Sequence, residues 1–120
     1  MISIIDYEPY TSEQLAYIND TIRVNICKLK GNVKVNGVIG QLVFTRNAID
    51  TLGENIGVLL SAVATFNQFK EDNDPYSEHD FGIIELFGKT WFWKFDYYEK
   101  SIRSFGHDVH LLTIMEASDY

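Results

Sequence analysis

Residues 66–98 read FNQFKEDNDPYSEHDFGIIELFGKTWFWKFDYY. The stretch starts at the end of a helical pattern, crosses an acidic loop and finishes in two alternating runs. Residues 81–87 alternate loosely, Gly88-Lys89 supplies a tight-turn pair, and residues 90–98 alternate clearly. Trp91, Trp93, Phe95 and Tyr97 fall on one face of that run, and Phe92, Lys94, Asp96 and Tyr98 on the other. This predicts a β-hairpin with one heavily aromatic face. Packed on helices, that face supplies much of a core, since each buried aromatic side chain contributes roughly 1.5–3 kcal/mol.

Upstream, Thr11 and Gln14 have the spacing of a capping box. Leu15, Ile18, Ile22, Ile26 and Leu29 then recur at helical intervals, which predicts an amphipathic helix over residues 12–30. Lys28 and Lys30 in its last turn complement the helix dipole, and Gly31 is a natural stop. Val33 and Val35 alternate with polar residues ahead of Asn36-Gly37, a strong hairpin signal. Either a hairpin forms there or a loop leads into one strand, expected at residues 41–45. Residues 46–52 suggest a short helical turn ended by Gly53. A second helix is expected over residues 54–69, with Ile56, Leu59, Leu60, Val63 and Phe66 as its buried stripe. Gly57 within it costs about 1 kcal/mol relative to Ala, a cost that close approach to a neighbouring backbone would offset. Downstream of the hairpin, residues 99–108 form a polar connection and residues 109–117 a last strand. Residues 1–10 form an arm in which Ile2, Ile4 and Ile5 add an edge strand or pack on the first helix, and Pro9 marks its end. The order helix, strand, helix, three strands predicts one α+β domain over residues 1–120. Its architecture would be an antiparallel sheet of three to five strands with two helices packed on one face.

A chain of 120 residues, 46 % hydrophobic and 14 % aromatic, can bury a core without staples. The single cysteine, Cys27, rules out an intrachain disulfide and favours a reducing compartment. No basic leader precedes an apolar run, and the longest mostly apolar stretch, residues 56–66, is too short to span a bilayer. A cytoplasmic location with no membrane partner is expected. The net charge of −7 favours solubility and suits a basic protein surface. The ten basic residues are scattered, so direct binding to nucleic acid is disfavoured.

The acidic loop holds Asp72, Asp74, Glu78, His79 and Asp80 within nine residues. Asp72-x-Asp74 has the start of a calcium-binding loop, but the glycine is missing and Pro75 interrupts. Turn chemistry explains the same residues, because Asn73, Asp74 and Pro75 favour turns through side-chain to backbone bonds. An acid–base site would use Glu78, His79 and Asp80, with Asp96 brought in across the hairpin. No nucleophile stands out, since Cys27 lies on the edge of the first helix as a packed thiol. There is no glycine-rich phosphate loop, and His107 and His110 flank Asp108 without a second cluster to complete a zinc site. No catalytic residue, metal or cofactor is assigned. Tyrosines placed among carboxylates suit protein interfaces. Glu71, Asp72, Asp74, Tyr76, Glu78 and Asp80 are therefore the expected partner contacts.

EDNDPYSEHDFG (residues 71–82), WKFDYY (93–98) and LLTIMEASDY (111–120) together resemble an uncharacterised bacterial family, domain of unknown function 3768. The helix carrying Leu15, Ile18, Asn19 and Asp20 is also similar, and residues 31–40 depart from the pattern. The resemblance implies a small intracellular bacterial protein, often on mobile elements, and brings no activity. The resulting expectation is a small acidic protein-binding module. In its finer form it is a phage or mobile-element inhibitor of a nucleic-acid-binding complex, of anti-CRISPR or anti-defence type. The alternatives are a metal-dependent or acid–base enzyme using residues 78–80, and a homodimer built through the sheet edge or an exposed aromatic patch.

Overall fold

The computed structural model describes residues 10–29 and 31–120. The expected N-terminal arm, apart from Tyr10, and Lys30 lie outside them. The first helix, α1 (Ser12–Leu29), begins with the expected capping box. Thr11 N donates to Gln14 Oε1 at 2.8 Å, and Gln14 N to Thr11 Oγ1 at 3.1 Å. Its stripe Ile18, Ile22 and Ile26 is fully buried, whereas Leu29, at the helix end, is exposed.

The hairpin at Asn36-Gly37 forms. Strand β1 (Val33–Val35) pairs antiparallel with β2 (Val38–Phe44), and both loop residues have positive φ, as a two-residue hairpin turn of the type I′ class requires. The strand expected at residues 41–45 therefore starts earlier. Helix α2 (Arg46–Leu52) is capped by Thr45, whose hydroxyl accepts from Ala48 N, and it stops at Gly53. A 3-10 turn (Gly53–Asn55) leads into α3 (Ile56–Ala64). This helix is shorter than expected, ending before Phe66. Leu59, Leu60 and Val63 are buried, and Ile56 and Phe66 pack on the same core. Gly57 faces open space, so no close backbone approach offsets its cost.

The aromatic hairpin consists of β3 (Phe81–Leu86) and β4 (Lys89–Tyr98). Its two-residue loop is Phe87-Gly88, one position earlier than expected, with both residues at positive φ. Strand β5 (Asp108–Glu116) follows a 3-10 turn (Ile102–Ser104), and a further 3-10 turn (Ala117–Asp119) leads to the C-terminal residue Tyr120.

The five strands form one sheet in the order β1-β2-β5-β4-β3. It is mixed and not antiparallel throughout, because β2 and β5 run parallel from Val38↔Asp108 to Phe44↔Ile114. The cause is topological. The helices α2 and α3 return the chain, so β3 runs in the same sense as β2. The hairpin reverses β4, and β5, reversed again against β4, slots in beside β2 with the same direction as it.

One face of the sheet carries the core. Trp91, Trp93, Phe95, Leu112, Ile114 and Val38 meet the buried residues of all three helices there. Two glycines make the close approach possible. A Cβ on Gly82 would overlap the Trp93 indole at Nε1, and one on Gly40 would overlap Ile22 Cγ2. Among the described residues no helix is long and apolar enough to cross a membrane.

Gly82→Ala is expected to destabilise the fold by about 1–3 kcal/mol, because the fully buried Trp93 ring has no room to retreat. Urea unfolding of the variant beside Gly57→Ala, where the added methyl meets nothing, measures this; equal midpoints would contradict it.

Candidate functional site

The acidic loop is built by its own side chains. Asn73 Oδ1 accepts from Lys70 N at 2.8 Å, and Asn73 Nδ2 donates to the Gln68 carbonyl at 3.0 Å. Asp74 Oδ1 accepts from both Glu78 N (2.9 Å) and His79 N (3.0 Å). These bonds satisfy backbone donors that no strand or helix reaches. They also hold Ser77 and His79 at positive φ, a conformation that side chains other than glycine rarely adopt.

The loop is clasped to α1. His79 Nδ1 meets both oxygens of Asp20, at 3.0 and 2.9 Å, and its Nε2 lies 3.7 Å from Asp74 Oδ2. The ring stacks flat on Phe69, with centroids 3.8 Å apart.

Behind the clasp lies a buried polar stripe of α1. Asn19 is fully buried. Its Nδ2 donates to the Glu78 carbonyl (3.0 Å) and to the Tyr97 hydroxyl (2.9 Å), and its Oδ1 lies 2.8 Å from His110 Nδ1. Arg23 is equally enclosed and caps the C-terminal end of α3. Its guanidinium donates to the Val63, Ala64 and Phe66 carbonyls, pairs with Asp20 at 3.0 Å and lies over the Trp93 ring at 4.9 Å.

The expected contact residues fall into three groups. Glu71, Asp72 and Tyr76 are exposed, Tyr76 at 73 %. Asp74 is buried and structural, so it is not a contact surface. Glu78 and Asp80 are half-buried; Glu78 accepts from the Tyr97 hydroxyl at 2.9 Å. Burial, and then the neighbouring carboxylates Glu78, Asp74 and Asp96, hold the Asp80 carboxyl above the usual range. Burial, followed by Glu78, likewise pushes the Tyr97 phenol up, so it stays protonated as a donor. A cleft of about 600 Å³ opens beside the loop, lined by Phe69, Lys70, Glu71, Asp74, Pro75, Ser77 and His79.

The acid–base grouping of Glu78, His79 and Asp96 does not assemble. Among the described residues His79 bonds to Asp20, and Asp96 instead pairs with Lys94 at 2.6 Å. His107 turns to the Gly37 carbonyl while His110 enters the core, so the two histidines part. Among the described residues no three His, Cys, Asp or Glu side chains converge to hold a metal. Cys27 is a packed thiol, and burial pushes it up to about 12.

Asn19, Asp20, Arg23 and Phe69 were not expected as parts of this region. The available signal was spacing. Asn19, Arg23 and Ile26 follow one another at helical intervals beside Ile18 and Ile22, which places two polar residues on the buried stripe.

Two neighbouring carboxylates should behave differently. Asp74→Ala leaves two backbone donors unpaired and is expected to cost about 1–3 kcal/mol, whereas Asp72→Ala leaves stability within about 0.5 kcal/mol. Thermal unfolding of both variants tests this, and equal losses would refute the structural role of Asp74.

Burial lowers the His110 pKa from 6.5 to about 4, so the folded state holds this ring neutral. The unfolded chain binds the proton first as pH falls. His110 therefore contributes stability above pH 6.5 that is lost between there and pH 4, about 3 kcal/mol in all. Urea midpoints of wild type and His110→Gln across this window should converge as pH falls; a constant gap would contradict the assignment.

No curated protein and no solved structure is significantly similar to the chain. Residues 44–119 match the family described as Protein of unknown function (DUF3768). The match runs from the last residue of β2 through α2, α3, the clasped loop, the aromatic hairpin and β5, covering more than half of the sequence. The chain belongs to the DUF3768 family.

Proposed function

We infer that this protein is an acidic binding module for a basic surface on another protein. The observation that carries the reading is the braced loop. Asn73, Asp74 and the His79 clasp fix its backbone, and it presents Glu71, Asp72 and Tyr76 to solvent, Glu71 also lining the cleft. A loop ordered in advance loses little conformational freedom on binding. An exposed tyrosine beside carboxylates offers an apolar anchor with a charged rim. Glu78 and Asp80 stand behind them. Asp80 is raised first by burial and then by the carboxylates of Glu78, Asp74 and Asp96, whose negative potential an incoming cation would relieve.

Basic surfaces of this kind line the nucleic-acid paths of nucleic-acid-binding complexes. Carboxylates can occupy sites built for phosphates, since arginine forks accept both. The finer reading is therefore an inhibitor of such a complex, of the anti-CRISPR or anti-defence type carried by phages and mobile elements. Net charge and loop geometry support it, and the mobile-element setting rests on family resemblance alone.

Acid–base catalysis at His79 fits the geometry less well. A general base needs a ring nitrogen free to take a proton from substrate. Here Asp20 engages Nδ1 and Asp74 faces Nε2.

The test is a capture experiment from bacterial lysate at low and high salt. It compares the wild type with Glu71→Lys/Asp72→Lys/Tyr76→Ala, which spares every residue that braces the loop. We expect a protein with a basic nucleic-acid-binding surface to be retained by the wild type, released at high salt and missed by the variant. Equal capture by both proteins would overturn the reading.

A further inference from the structure

The cleft beside the acidic loop, about 600 Å³ in volume, is lined in part by a carboxylate with an unused oxygen. The Asp74 side chain is only 4 % exposed. Its Oδ1 accepts from Glu78 N and His79 N. Its Oδ2 makes no hydrogen bond among the described residues, and His79 Nε2 lies 3.7 Å from it, beyond hydrogen-bond length. A carboxylate accepts at both oxygens, and a nearly buried one gains most from a donor that its surroundings do not supply. Bracing of the loop accounts for Oδ1 and leaves Oδ2 over.

The rest of the lining indicates what would complete it. Glu71 adds a second, exposed carboxylate, and Ser77 a hydroxyl. Lys70 also lines the cleft, so two carboxylates stand against one ammonium. A metal ion is poorly served, because among the described residues no three His, Cys, Asp or Glu side chains converge. An organic cation has ample room. Phe69 and Pro75 supply apolar surface for the methylene stem of a long basic side chain. A guanidinium suits the head better than an ammonium. It is more weakly hydrated, so it loses less on reaching a nearly dry carboxylate, and its fork serves Asp74 Oδ2 and a second acceptor together.

We propose that the cleft is the seat of one arginine side chain of the partner, its guanidinium bonded to Asp74 Oδ2 and its stem laid along Phe69 and Pro75. This deepens, and rests on, the reading of the loop as a module for a basic surface. Glu71, Asp72 and Tyr76 make the outer contact, and the inserted arginine makes the central one. Asp74 offers no outer surface, so only a side chain that enters the cleft reaches it.

The test titrates the isotope-labelled full chain with the peptide acetyl-Gly-Arg-Gly-amide and follows its backbone amides by NMR. Saturable shifts at Ser77, Glu78 and His79 are expected, with a Kd on the order of 1 mM. The same peptide with citrulline keeps the length and the planar head but lacks the charge. It is expected to bind at least about tenfold more weakly, and a lysine peptide more weakly than the arginine one. Asp74→Asn keeps an oxygen for Glu78 N and His79 N and puts a donor in place of Oδ2. It is expected to hold the loop and to bind the arginine peptide at least about tenfold more weakly. The citrulline comparison needs no variant, so it decides even if Asp74→Asn fails to fold. Three results would overturn the seat. They are unmoved amides at about 50 mM peptide, equal binding of the citrulline or lysine peptide, and a folded Asp74→Asn that binds as wild type does. Lysate capture with Asp74→Asn separates this proposal from the reading beneath it. A basic partner held equally by wild type and Asp74→Asn removes the arginine seat and leaves the binding module. Arginine bound in the cleft with no partner captured leaves the seat and removes the module.

Discussion

Two polar side chains that α1 drives into the interior govern the rest of the structure. Asn19 and Arg23 are both almost wholly enclosed, and burying such groups is costly unless their hydrogen bonds are made. The fold answers most of that demand with partners from the loop, the end of α3, β4 and β5, leaving Arg23 Nε without one among the described residues. Asn19 draws on the loop backbone at Glu78, on β4 through Tyr97 and on β5 through His110. Arg23 takes the free carbonyls at the end of α3, and its partner Asp20 takes His79. A helix packed by isoleucines alone could slide or rotate. One whose buried amide and guanidinium must meet fixed partners has a single register. The arrangement also explains why α3 ends early. Its last carbonyls are taken by a side chain, so the chain can leave the helix at Thr65 and place Phe66 and Phe69 against Trp93.

The same network separates the shape of the acidic loop from its charge. Asp74 and Asn73 turn inward and spend their oxygens on backbone amides, while Glu71 and Asp72 turn outward with no such duty. The stacking of His79 on Phe69, with a carboxylate on either side, fixes the loop to the body. The outward charges are then displayed on a frame that does not depend on them, which is what a recognition surface needs if its contacts are to vary while its fold persists.

Much of this was legible in the sequence because it depends on local period. The capping box at Thr11, the isoleucine stripe of α1, the Asn36-Gly37 hairpin and the aromatic face of β4 all follow from spacing that the backbone imposes. The parallel pairing of β2 with β5 was not legible, because direction depends on how often the intervening chain reverses, and no local pattern records that. The turn chemistry of Asp74 is legible in the sequence, but its burial is not, since a carboxylate in an acidic run looks solvated until its amide partners are known. The carboxylate partner of His79 is hidden in the sequence for a related reason. Asp20 lies 59 residues away and meets it only through the packing of α1.

The sheet shows how far one pattern carries two meanings. On the core side, alternation delivers Trp91, Trp93 and Phe95 to the helices, and the sequence needed a glycine at 82 to let the Trp93 ring lie flat against the neighbouring strand. On the other side, the residues between them need only be soluble if water is their final neighbour. Phe92, Leu111, Val109 and Ile83 there are β-branched, aliphatic or aromatic, and they share the face with Gln41, Thr90, Thr113, Lys94 and Asp96. Strand propensity favours β-branched and aromatic residues on either face, so part of this choice is the cost of forming strands at all. The polar positions among them, Lys94 and Asp96 included, keep that face compatible with water. The alternation of β4 therefore supplies a dry tryptophan face to the helices and a mixed polar and apolar face on the side opposite the core.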